Sequence, residues 1–185
     1  MKDTYDSVAE KYDEFFSTEK YKKEDFEVAQ KLPKLKGKIL DIGCGTGLVI
    51  DLYKMVGEPN IDYVGVDPSF NMLKKLILKF GDKKCFCCKF EELPGCEKYD
   101  TIVSIYNSPS YIKPSRIKDI KKIAKPGADV FLMFAKDGYT PIAHSLAKNE
   151  IPIYEYSKFK KHLKRLSKNF SYEEFNNYVI VSGKI

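Results

Sequence analysis

The nine residues Ile39-Leu-Asp-Ile-Gly-Cys-Gly-Thr-Gly47 constrain the fold of this chain more than any other stretch. An apolar run (Ile39, Leu40, Ile42) carries a carboxylate at Asp41 and breaks into three glycines at alternate positions; the helix-compatible Leu48–Met55 follows at once. That order is strand, tight turn, helix. Glycine adopts the backbone angles such a turn needs and lets a ligand approach without meeting a Cβ. One strand later, Tyr63-Val-Gly-Val-Asp67 again ends an apolar run in an acid. A strand-tip carboxylate about 20 residues beyond the glycines stands where ribose hydroxyls can donate to it. The pair points to a nucleoside-cofactor site. The alternative, a glycine turn that only packs a helix on a sheet, leaves the second acid unexplained.

The glycine spacing narrows the cofactor. A dinucleotide site uses G-x-G-x-x-G so that a pyrophosphate rests on the helix N-terminus. Here the sixth position is Leu48, and the loop reads G-x-G-x-G behind Asp41. This disfavours a dehydrogenase.

At 185 residues, 43% hydrophobic and 14% aromatic, the chain fits one domain with a sizeable core. Its longest apolar runs, such as Val130 to Ala135, are strand-length and far short of a membrane span. The start Met1-Lys-Asp-Thr-Tyr lacks a signal-peptide core, so a cytoplasmic protein is expected. Five cysteines suit that compartment. Cys85, Cys87 and Cys88 crowd one candidate strand, with Cys44 in the glycine loop and Cys96 in a later turn. No second knuckle or nearby histidine accompanies them, so reduced thiols in half-buried positions are expected rather than a metal site. The net charge of +6 invites a nucleic-acid partner, but it is built almost wholly from lysine, with only Arg116 and Arg165 to supply planar forks.

Periodicity gives the order of elements. A helix is expected over Tyr5–Phe16, with Tyr5, Val8, Ala9, Tyr12 and Phe16 on one face, and a second over Lys20–Leu32 stopping at Pro33. Strands follow at Lys38–Gly43, Ile61–Asp67, Lys84–Phe90, Tyr99–Tyr106 and Asp129–Ala135. Helices are expected over Leu48–Met55, Ser69–Phe80 with Ser69 as cap, Pro114–Ala124, and Ser157–Lys168. A closing hairpin turns at Asn176-Asn177. The alternation predicts a Rossmann-like α/β sandwich: a mostly parallel seven-stranded sheet with an antiparallel C-terminal strand and helices on both faces. One domain is expected over 1–185, with residues 1–34 as a helical lid on a core of 35–185.

The glycine loop, the Val64-Gly-Val-Asp67-Pro-Ser-Phe-Asn-Met72 strand and turn, Glu92-Leu-Pro94 with Tyr99-Asp100, and Ala124-Lys-Pro-Gly127 come in an order that resembles class I S-adenosylmethionine (SAM)-dependent methyltransferases. Tyr5-Asp-Ser-Val-Ala-Glu-Lys-Tyr12-Asp is similar to the leading helix of their small-molecule members. The resemblance implies SAM as cofactor and S-adenosylhomocysteine (SAH) as product. It implies that Gly43, Cys44, Gly45 and Gly47 floor the methionine and ribose portions, that Asp41 orients the ammonium, and that Asp67 holds the ribose. Pro68 and Met72 would pack on the adenine, Phe90 and Glu91 reach its edge, Ser104, Ile105 and Tyr106 flank the methyl, and Tyr12 close over the carboxylate. One departure stands out. Many relatives carry an Asp for the adenine amino group where this chain has Lys89, which accepts no hydrogen bond; Glu91 or a backbone carbonyl must serve instead.

The acceptor side is less defined, since methyl transfer needs alignment more than a fixed catalytic set. Candidates are Asn107, Ser108, Tyr111, Tyr139 and His144, with no metal site. Tyr106-Asn-Ser-Pro-Ser-Tyr111 is a poor match to the N-P-P-Y clamp of base-methylating enzymes and lies closer to the D-S-x-x-Y turn of small-molecule ones. His144 is a candidate base, or an isolated structural histidine. The basic stretch Lys158–Lys168 is either a phosphate-contacting face or the solvated side of a helix whose Phe159, Leu163 and Leu166 point inward. The expected function is methyl transfer from SAM to a small molecule. The alternatives are an RNA methyltransferase of the same fold and a non-catalytic SAM-binding subunit.

Overall fold

The computed structural model describes residues 4–95, 97–146 and 152–185. Cys96 and residues 147–151 lie outside them. Seven strands join in one sheet: β1 (Lys38–Ile42), β2 (Asp62–Val66), β3 (Lys84–Phe86), β4 (Tyr99–Ser104), β5 (Ala124–Ala135), β6 (Ser171–Phe175) and β7 (Tyr178–Lys184). Their order is β3-β2-β1-β4-β5-β7-β6. The first five strands run parallel, β7 runs against β5 with Met133 opposite Ile180, and β6 pairs back on β7. The chain steps outward from β1 to β3, then returns to place β4 beside β1. That reversal is the switch point at which such sheets leave a crevice beyond the strand ends.

Successive residues of the central strands serve opposite cores. Leu40, Val64, Ile102 and Leu132 face one side, where Ile117, Ile120, Phe159 and Leu163 cover them. Ile39, Tyr63, Val103 and Phe131 face the other, under Val28, Val49, Leu52 and Leu73. A sheet buried on both faces needs such unbroken apolar strands. The first cover comes from α5 (Ile120–Ile123) and α7 (Lys160–Leu166), the second from α2 (Glu19–Lys31), α3 (Leu48–Met55) and α4 (Phe70–Phe80). Phe159 is wholly buried and meets Phe134 at a ring distance of 4.7 Å; its truncation to Ala would cost about 3–5 kcal/mol. Ser69 caps α4 by accepting from Met72 N. The hairpin turns as expected, with Asn176 left-handed at φ 50°.

Four expectations change. Tyr5–Phe16 is not one helix but two 3-10 turns (Thr4–Ser7, Ala9–Lys11) and a single turn, α1 (Tyr12–Phe15). A continuous helix would bond the Asp6 carbonyl to Glu10; here it accepts from Asn71 Nδ2 at 3.1 Å, while the Asp6 carboxylate accepts from Ser69 Oγ and Asn71 N at 2.7 and 2.9 Å. The segment follows the start of α4 instead of its own axis. Strand β3 stops at Phe86 because its partner β2 ends at Val66, which pairs with it. Cys87 and Cys88 therefore leave the strand. Pro114–Asp119 is a 3-10 stretch, leaving only one α turn before the sheet. Lys125-Pro-Gly127 belongs to β5, bulged out where pairing jumps from Tyr99–Ala124 to Thr101–Asp129.

Candidate active site

The glycine loop is stitched to the neighbouring strand: Gly43 N and Cys44 N both donate to Val66 O, at 2.8 and 3.2 Å. Its three glycines have positive φ, at 73°, 50° and 93°, for different reasons. A Cβ on Gly43 would sit 2.5 Å from Ser108 Cβ, so this glycine lets the segment after β4 close on the loop. A Cβ on Gly45 would meet nothing within 4 Å; its backbone borders open space. A Cβ on Gly47 would reach 2.6 Å from the Phe80 ring. Gly47 thus seats α4 against the start of α3 and does not border the cavities described below, contrary to the expectation that it joins the floor. Cys44 turns its thiol onto Gly65, where a Cβ would lie 2.7 Å from Sγ, and so offers the cavity chiefly its backbone.

Two carboxylates flank this loop. Asp67 Oδ2 accepts from Gly45 N at 2.9 Å and Oδ1 from Ser69 N at 2.8 Å, so two backbone amides fix its plane. Asp41 is 1% exposed; its Oδ2 accepts from Tyr63 Oη at 2.7 Å, and its Oδ1 is buried without a partner among the described residues. Burial pushes this carboxyl up to about 7, the Tyr63 hydroxyl opposing and the Asp67 charge adding to the rise. An orphaned acceptor beside a glycine floor fits a ligand that brings a hydrogen-bond donor.

Two adjoining cavities open above the loop, of about 610 and 700 Å³. Gly43, Gly45, Tyr12, Tyr106 and Ser108 border both. Asp67, Pro68, Met72, Phe90 and Glu91 wall the first on one side, with Asn107 and Tyr111 also lining it. Glu91 Oε1 accepts from Lys113 N at 3.1 Å, which holds its carboxylate across that cavity. Asp41 and Cys44 border the second, with Tyr139. Ser104 reaches neither: it is fully buried and donates its hydroxyl to Ile42 O at 2.7 Å.

The roof comes from the N-terminal segment. Thr46 Oγ1 donates to Asp13 Oδ1 at 2.6 Å, Lys75 pairs with Glu10, and Tyr5 Oη stands 2.9 Å from Tyr111 Oη. Tyr111 Oη in turn lies 2.8 Å from Nδ1 of His144, on α6 (Ile142–Leu146). Burial lowers the affinity of His144 for a proton, so the neutral ring predominates near pH 7. Burial, reinforced by Tyr5 and by Asp67, Asp13 and Asp25, drives the Tyr12 hydroxyl far above its ordinary value and keeps it a donor. Asn107, left-handed at φ 73°, ties the end of β4 to β5: its N donates to Met133 O and its Oδ1 accepts from Ala135 N, while Nδ2 is buried without a partner among the described residues. Tyr106 Oη donates to Asp25 Oδ1 at 2.7 Å. The sequence offers no local signal for Asp25, which reads as one more charge on a polar helix, or for Tyr5 meeting Tyr111 across 106 residues.

The comparisons agree with this geometry. The profile of a methyltransferase-domain family matches residues 11–177. Among solved structures, a SAM-dependent methyltransferase from Thermotoga maritima is 14% identical with a TM-score of 0.70, covering 98% of this chain and 97% of that one. The DhpI–SAH complex is 14% identical with a TM-score of 0.69, covering 96% and 91%. DesVI from Streptomyces venezuelae is 14% identical with a TM-score of 0.65, covering 94% and 97%. At such identities these likenesses speak for the fold. A curated relative, the UvrABC system protein C of Borrelia garinii subsp. bavariensis, is 27% identical over 143 residues; the match covers 72% of this chain and 22% of that protein. With nearly its whole length matched by the family profile, and with the strand order and glycine loop found here, the chain belongs to the methyltransferase-domain family of class I SAM-dependent enzymes.

Proposed function

We propose that this enzyme methylates a small molecule within the roofed cavity over the glycine loop. The observation that carries this reading is the enclosure: Tyr5, Glu10 and Asp13 pin the N-terminal segment to Tyr111, α4 and the glycine loop, across the cavity mouth. A roof of this kind suits a compact acceptor and the exclusion of water. The lysine-rich α7 supports it from the other side, because Phe159, Leu163 and Leu166 are buried there and no residue of α7 borders either cavity.

SAM supplies a methyl group already activated on a sulfonium, which leaves alignment to the protein. In our reading Asp67, fixed by two amides, accepts from the ribose hydroxyls. Gly43, Gly45 and the Cys44 backbone form the floor. Asp41 Oδ1 takes the orphan bond from the ammonium or an intervening water, and Tyr12 donates to the methionine carboxylate. Pro68, Met72 and Phe90 hold the adenine, with Glu91 at its edge in place of the acid that Lys89 displaces. Tyr106 flanks the transfer path. Tyr111 and His144 act by holding the roof to Tyr5, and Asn107 by joining β4 to β5 and offering its unpaired amide nitrogen.

The test is methyl-labelled SAM incubated with purified protein and a cell extract separated into small-molecule, RNA and protein fractions. Label in the small-molecule fraction is expected. Label in RNA would contradict the reading and turn attention to α7. Label that appears only after a second protein is supplied would favour a partner-dependent enzyme, an arrangement for which one fold neighbour, from a complex with the Haloferax volcanii Trm112 methyltransferase activator, gives precedent.

A further inference from the structure

The second cavity holds a carboxylate that the cofactor reading does not use. Asp25, on α2, projects into a chamber with two aromatic walls. Tyr12, Phe16 and Tyr21 form one, their rings in sequence at 5.0 and 5.1 Å. Tyr106, Tyr178 and Tyr139 form the other, at 5.5 and 5.7 Å, both edge-on. Tyr106 Oη donates to Asp25 from the second wall.

The lysines that border this chamber are engaged elsewhere. Lys22 pairs with Glu19 at 2.8 Å, Lys79 with Asp51 at 2.7 Å and Asp13 at 3.3 Å, and Lys54 lies 4.5 Å above the Phe80 ring. Among the described residues Asp25 has no ion-pair partner. Its neighbour Glu24 accepts from Asn176 Nδ2 at 2.9 Å. A half-buried carboxylate without a counter-ion is costly unless something bound there compensates it. Aromatic faces attract cations for a separate reason, their negative quadrupole. Carboxylate and rings therefore ask for the same ligand charge.

We propose that the chamber around Asp25 recognises the molecule to be methylated through an ammonium group that it carries, a conclusion that rests on the small-molecule reading above and narrows it. The carboxylate binds the N–H groups and the rings pack the carbon frame, while an anion meets Asp25, Glu24 and Asp51 together. Burial pushes the Asp25 carboxyl above its usual range, Tyr106 and Lys79 opposing and Glu24 and Asp51 adding, which is the state an arriving cation relieves. A second carboxylate, Asp41, with its orphaned oxygen beside the glycine loop, is there for the ammonium of the cofactor.

The test is binding, measured on protein saturated with SAH by ligand-observed NMR. The probes are 2-phenylethylamine, the neutral 2-phenylethanol and the anionic 3-phenylpropionate. The amine is expected to bind about ten-fold more tightly than the alcohol. Asp25→Asn, which keeps the shape, should erase that preference while leaving SAH affinity within about three-fold, the scale of a lost neutral contact. Tyr21→Leu should weaken the amine about three-fold and spare SAH, one ring of six being removed. Circular dichroism confirms that each variant is folded. The inference is overturned if alcohol or carboxylate binds as well as the amine. It is also overturned if Asp25→Asn lowers SAH affinity ten-fold or more, which would move Asp25 into the cofactor's own ammonium cradle. A wild-type protein that binds no SAH would overturn the site assignment itself; SAH binding without amine preference overturns this step alone.

Discussion

The floor of the cavity comes from two short stretches, residues 41–45 and 63–72, whereas its roof is drawn from residues 5, 12, 25, 111 and 144. In the floor the decisive contacts are main-chain ones: Val66 O takes two amides of the glycine loop, and Asp67 is held by Gly45 N and Ser69 N. In the roof they are side chain to side chain, such as Tyr5 to Tyr111, Tyr111 to His144 and Tyr106 to Asp25. Backbone-held geometry survives most changes of side chain, so it suits the cofactor side of the proposed reading. Side-chain contacts change with single substitutions, so they suit the acceptor side of that reading. Changes in the floor should therefore cost folding and cofactor affinity together, and changes in the roof should cost substrate handling alone.

Gly43→Ala attacks the floor hardest. It forces a side chain into φ 73° and drives Cβ against Ser108; a stability loss of about 2–4 kcal/mol is expected, read by denaturant unfolding. An unchanged midpoint would break the contrast at its strongest point.

Asp41 sharpens it through pH. Its folded carboxyl titrates near 7, above the ordinary carboxylate range, so between about pH 4 and 7 the folded state binds more protons than the unfolded one. By linkage the contribution of Asp41 to stability falls as pH rises through that window, on the order of 1–2 kcal/mol once relaxation is allowed for. Asp41→Asn should flatten this slope in unfolding curves taken from pH 4 to 8. A wild-type slope of opposite sign, unaltered by the substitution, would remove the buried carboxylic acid from the floor.

In the roof, Tyr111→Phe deletes the hydroxyl shared by Tyr5 and His144. About 1 kcal/mol of stability is expected to go. In methylation assays KM for the acceptor should rise more than kcat falls. A fall in kcat alone would make Tyr111 a catalytic residue instead of a fastening.

The floor was legible in the sequence because its signals are local. Glycine spacing, Leu48 in place of a sixth-position glycine, Asp67 at a strand tip and Ser69 before a helix each act within a few residues, and the strands carry the apolar continuity of a sheet covered on both faces. Gly47 shows the limit even there: a packing glycine and a ligand-binding glycine look alike until Phe80, 33 positions away, is seen against it. The roof was legible only in part, for the same physical reason: a lid over residues 1–34 with Tyr12, and Tyr111 and His144 as candidates, could be read, but not the long-range contacts that join them. Tyr5–Phe16 has helical spacing, but Asp6 finds better partners at the head of α4 than along its own segment. Asp25 gains its significance only from Tyr106, 81 residues on.

The most direct test is a calorimetric titration of SAH into wild type, Asp67→Ala and Tyr111→Phe under one set of conditions. Asp67→Ala is expected to weaken binding by about 1–3 kcal/mol, and Tyr111→Phe to leave it within about 0.5 kcal/mol. Equal weakening by both, or Asp67→Ala binding SAH as wild type does, would contradict the division of the cavity into a cofactor floor and an acceptor roof.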